Sequence, residues 1–126
     1  MNRKIVIKVG GSILSTSDSN LFDVENAKKI KEILEPFFLL GDKFVLCSGG
    51  GYLSRKYQKI AAEAGADIKK QHFVGIAGIN LNAEMLSTIF GKHADSFIPR
   101  YENFDTINNL EVKNNVLISA AGSLVH

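Results

Sequence analysis

An α/β domain, a mostly parallel β-sheet sandwiched by helices, is the fold class this sequence predicts. Three observations predict it. Short β-branched runs alternate with segments of helical hydrophobic spacing. The strongest strand-like runs end directly in glycine-containing turns. The chain has 126 residues, enough for one compact domain, so residues 1–126 are read as a single unit.

Lys4–Val9 (KIVIKV) is a strand that runs into Gly10-Gly11. Residues 15–20 (STSDSN) form a polar loop. From Asp23, residues Val24, Ala27, Ile30, Ile33, Leu34, Phe37 and Phe38 recur at helical spacing, and Gly41 offers a stop. Pro36 should kink or end the last turn. Residues 43–47 (KFVLC) are a second strand, followed by Ser48-Gly49-Gly50-Gly51. Leu53, Tyr57, Ile60, Ala61 and Ala64 mark a second helix that stops at Gly65. A third helix is expected over residues 71–90, with Phe73, Ile76, Ala77, Leu81, Met85 and Ile89 as its apolar stripe. Residues 96–98 are a weak strand, and residues 115–120 (NVLISA) a strong one ending in Ala121-Gly122.

Composition narrows the function classes. Hydrophobic residues make up 45% and charged residues 22%, an ordinary globular balance. A net charge of +2, spread along the chain, gives no footprint for nucleic acid. The lone Cys47 lies in an apolar run and reads as a buried hydrophobe. His72, His93 and His126 lack metal-ligand spacing, and His93 reads as a surface residue. The amino terminus has no signal-like apolar stretch, and no segment is read as long enough for a membrane. The expected location is the cytoplasm. The strings of a P-loop and of a dinucleotide fingerprint are both absent.

In a parallel sheet, ligands bind beyond the carboxyl ends of the strands. Gly10-Gly11, Gly49-Gly50-Gly51 and Gly122 each follow a strand, so they should gather on one edge. Three glycines before a helix let backbone N–H groups approach an anion, and the helix start adds four unpaired N–H groups. The competing reading is a tight turn with no ligand. Arg55, one turn into that helix, either holds a phosphate through two parallel hydrogen bonds or stands in solvent. Lys8, the last charged residue of the first strand, either reaches a transferring phosphoryl group or is an edge lysine.

Together these residues resemble the amino-acid kinase family, in its uridylate kinase-like branch. Lys8-Val9-Gly10-Gly11-Ser12 is similar to that family's opening K-x-G-G-S. Gly49-Gly50-Gly51-Tyr52-Leu53-Ser54-Arg55-Lys56-Tyr57 resembles G-G-G-x-x-(A/S)-R-x-Y, and Gly75-Ile76 through Leu81-Asn82-Ala83 resembles G-I-x-A-x-x-L-N-A. The resemblance implies transfer of the γ-phosphoryl group of ATP, carried with Mg2+, to a phosphate or carboxylate acceptor such as a nucleoside monophosphate. It implies that Lys8 stabilises the phosphoryl group in flight. Gly10, Gly11, Ser12, Gly49, Gly50, Gly51 and Arg55 would then hold the acceptor, and the protein would be oligomeric.

Three departures qualify it. His72 stands where the branch usually has a ribose-contacting aspartate, and Asn80 where it often has arginine. Family members also exceed two hundred residues, with ATP bound by their second half. The chain is therefore expected to represent the acceptor-binding half and to be inactive alone. The alternative is a non-catalytic anion- or nucleotide-binding module, or a degenerate relative.

Overall fold

A computed structural model describes residues 3–95 and 111–120. The expectations for residues 96–98 and for Ala121-Gly122 lie outside the described residues. The elements run β1 (Lys4–Val9), α1 (Gly11–Leu14), α2 (Val24–Phe38), β2 (Lys43–Ser48), α3 (Gly51–Glu63), α4 (Ile68–Phe90) and β3 (Val116–Ser119). The three strands form a parallel sheet in the order β1-β2-β3. The expected parallel α/β class is therefore present.

Period-two alternation sorts the strand residues onto two faces. Ile5, Ile7, Val9, Phe44, Leu46, Val116 and Ile118 face Leu14, Ala27, Leu34, Ala83, Leu86 and Phe90 from α1, α2 and α4 in one core. Val6, Val45, Cys47 and Leu117 cluster on the opposite face. Among the described residues, the helical layer lies on the first face only.

Helix α2 starts where Asp23 accepts a hydrogen bond from the N–H of Asn26 at 2.9 Å. It runs two residues past Pro36, so the proline neither ends it there nor prevents a final turn. Gly41, at φ 84°, then reverses the chain, and the Asp42 N–H returns to the Phe37 carbonyl. Asp42 is buried and takes the Arg3 guanidinium at 2.8 Å and the Arg3 N–H at 3.1 Å. That pair fastens the start of β1 to the turn entering β2.

Helix α4 departs from expectation in three ways. It begins at Ile68, because Asp67 caps it by accepting the Lys70 N–H at 2.8 Å. Its buried side is Ile76, Ala83, Leu86 and Phe90, while Phe73 and Leu81 of the expected stripe are half exposed. Apolar residues surround this helix, so spacing alone does not select the packed side. It is also long and apolar enough to cross a membrane by length and composition, contrary to the sequence reading. Here it serves as the core helix against the sheet. His93 is likewise no simple surface residue: its ring packs on Phe38 and its Nδ1 lies 2.8 Å from Asn115 Oδ1.

Candidate anion site

Parallel register decides where the two glycine turns lie. Val9 pairs with Ser48, so the residues that follow leave the sheet side by side. Contact between the turns is direct. A Cβ added to Gly11 would lie 2.2 Å from the Gly51 nitrogen and 2.8 Å from the Gly50 nitrogen. A Cβ on Gly51 would lie 2.1 Å from the Gly11 carbonyl oxygen. Only backbone fits between them, which explains glycine at both places.

Ser15 after α1, Ser54 of α3 and Asn82 of α4 hold this junction. The Ser15 carbonyl accepts the Tyr52 N–H at 3.0 Å, and Ser15 Oγ accepts the Leu53 N–H at 2.9 Å. Two of the four first-turn amides expected to be unpaired in α3 are thus already bound. Those of Gly50 and Gly51 are not taken by Ser15. From α4, Asn82 Nδ2 donates to the carbonyls of Gly49 and Gly50 at 3.0 and 2.9 Å. Ser54 Oγ donates to the Gly75 carbonyl at 2.8 Å, and a Cβ on Gly78 would come within 2.3 Å of Ser54 Oγ. Gly75 and Gly78 therefore let α3 and α4 approach closely beside the turn.

The two helices enclose a cavity of about 250 Å3, lined by Gly50, Gly51, Ser54, Arg55, Gln58, His72, Gly75, Ile76 and Ile79. No carboxylate is among its lining residues. Arg55 and His72 are the basic side chains of its lining, and the start of α3, whose dipole favours an anion, borders it as well. Gly10, Gly11, Ser12, Gly49 and Lys8 do not line this cavity. Gly10, Gly11 and Ser12 form the neighbouring turn, and Lys8 precedes it on the sheet face that carries Cys47. Neither Lys8 nor Arg55 forms an ion pair among the described residues. Cys47 is buried, and burial pushes its thiol pKa up to about 11 despite the nearby Lys8 charge, so it is an inert core residue. Beside the cavity, Lys56 pairs with Asp18 of the loop before α2 and holds that carboxyl below its usual range.

Sequence reading missed Ser15, Ser54 and Asn82 as parts of this junction. Asn82 carried a signal, because it lies in the stretch that resembles L-N-A. Ser15 sits in an ordinary polar loop and carried none.

The sequence profile of the amino acid kinase family matches residues 3–125. The chain belongs to the amino acid kinase family. Curated relatives of this family member include uridylate kinase from Archaeoglobus fulgidus, 35% identical over 83 residues, 66% of this chain and 35% of the relative. Uridylate kinase from Staphylothermus marinus is 32% identical over 133 aligned positions, covering 99% of this chain and 51% of the relative. The crystal structure of the Archaeoglobus fulgidus uridylate kinase superposes with a TM-score of 0.70 at 27% identity, over 91% of this chain and 49% of that one. The chain thus spans about half the length, or less, of these relatives, matching their amino-terminal part.

Proposed function

We propose that this chain is the acceptor-binding part of a phosphotransferase that moves the ATP γ-phosphoryl group onto a small acidic acceptor, foremost a nucleoside monophosphate. The observation that carries the proposal is the contact between the Gly10-Gly11 and Gly49-Gly50-Gly51 turns, with Arg55 one helical turn beyond. Phosphoryl transfer asks little covalent chemistry of a protein; positioning and charge stabilisation carry it. Arg55 fixes the anionic group of the acceptor, with the amides of Gly50 and Gly51 as donors. Gly10, Gly11 and Ser12 line the path toward the incoming phosphoryl group, and Lys8 neutralises charge that develops on it. Magnesium arrives with the phosphates of ATP. A cytoplasmic location and self-association through the exposed apolar Leu21, Tyr57, Phe73 and Leu81 accompany this reading.

A second reading, a non-catalytic anion-binding module, is favoured by one observation: His72, which stands where the resembled branch has a ribose-contacting aspartate, lines the cavity.

Calorimetry tests the proposal. Uridine monophosphate should bind the chain, and Arg55→Ala should weaken that binding by about tenfold to a hundredfold, the scale of a lost charge-assisted contact. Lys8→Ala should leave it within about twofold, because Lys8 acts on the phosphoryl group rather than on acceptor binding. Equal losses in both variants would contradict these roles.

A further inference from the structure

We infer that Asn82 is a positioning residue that sets which way the amides of the Gly49-Gly50-Gly51 turn face. The inference rests on the anion-site reading above for its consequence, though not for its geometry. Asn82 is 1% exposed, and its Nδ2 donates to two successive carbonyls, Gly49 at 3.0 Å and Gly50 at 2.9 Å. Two carbonyl oxygens at that distance require the donor end of the amide, which fixes its orientation.

In a trans peptide, the C=O and the following N–H point in opposite directions. Holding the Gly49 carbonyl toward α4 therefore turns the Gly50 N–H away from α4. Holding the Gly50 carbonyl does the same for the Gly51 N–H. These are the two amides that Ser15 leaves over in the first turn of α3. Their nitrogens border Gly11 of the neighbouring turn. Three successive glycines have little intrinsic resistance to peptide reorientation, so the restraint must come from elsewhere. Here it comes from α4, more than thirty residues along the chain.

The rest of the side chain points to the same role. Asn82 Oδ1 is buried without a hydrogen-bond partner, so the amide is not held for its acceptor. An apolar side chain of similar size would fill the space and leave no such oxygen, but would release both carbonyls.

The test compares Asn82→Leu with Leu86→Ala, a fully buried position one turn along α4 that lies in the helix–sheet core. Two readouts are taken where all proteins are folded: the 15N–1H signals of Gly50 and Gly51, and uridine monophosphate affinity by calorimetry. Asn82→Leu should displace both glycine signals and weaken binding by about tenfold or more. Leu86→Ala should lower Tm at least as far while leaving signals and affinity within about twofold. Unmoved glycine signals in Asn82→Leu, with affinity matching Leu86→Ala, would overturn the inference. If Asn82→Leu does not fold, Asn82→Asp, which keeps the volume and loses the paired donors, is read by the same criteria. If the unaltered chain does not bind uridine monophosphate, the proposed function falls and the glycine signals alone decide the role of Asn82.

Discussion

Gly51 sits at φ 58°, a left-handed conformation, with the Gly11 carbonyl oxygen where a Cβ would go. Gly65, at φ 98°, is equally left-handed, but a Cβ there would meet nothing within 4 Å. The pair separates backbone strain from steric exclusion. Gly65→Ala should cost about 1–2 kcal/mol from conformation alone. Gly51→Ala should cost clearly more than that, because the two turns must also part. Chemical denaturation of both variants checks the ordering, and equal losses would mean that the turns separate freely. That the glycine run is unusual was legible in the sequence. Which glycine is indispensable was not, since its neighbour is Gly11, forty positions earlier. Ser15 was illegible as a site component for the same reason, and the L-N-A resemblance marked Asn82 without naming its partners: their bonds to the turn join residues more than thirty positions apart.

Strands and helices were read more closely than their contacts. Lys4–Val9 emerges as the strand expected, because a β-branched run ending in two glycines leaves little alternative. Helix α4 was misread at its start and on its packed side. The Asp67 cap settles the first, and the burial of Asn82 and the small Gly75 and Gly78 against α3 settles the second. The Arg3–Asp42 fastening between β1 and β2 has a pH signature. Arg3, through its hydrogen bond, holds the folded Asp42 carboxyl below its usual range. That stabilisation is fully present above the unfolded carboxylate value of about 3.9 and is lost as pH falls through the lower folded value. Thermal unfolding followed by circular dichroism should therefore show a Tm loss in acid that is smaller in Asp42→Asn than in the unaltered chain. Identical acid profiles would assign the loss to other carboxylates, Asp18 among them.

At the scale of the molecule, the sheet edge makes the site. Parallel strands deliver consecutive turns to the same end, so alternating strands and helices in the sequence imply neighbouring glycine turns without naming their contacts. The fold class and that convergence were legible; the cavity between α3 and α4 was not, because it depends on the close helix approach at Gly75 and Gly78. One measurement tests the central claim, that adjacent strand tips form a single acceptor-anion site. Uridine monophosphate titrated into 15N-labelled chain should move the amide signals of Gly10, Gly11, Gly50 and Gly51 and the side-chain signal of Arg55 together, along one binding curve. Movement confined to the lysine-bearing outer face of α3, around Lys56 and Lys59, with the glycine signals unchanged, would contradict it.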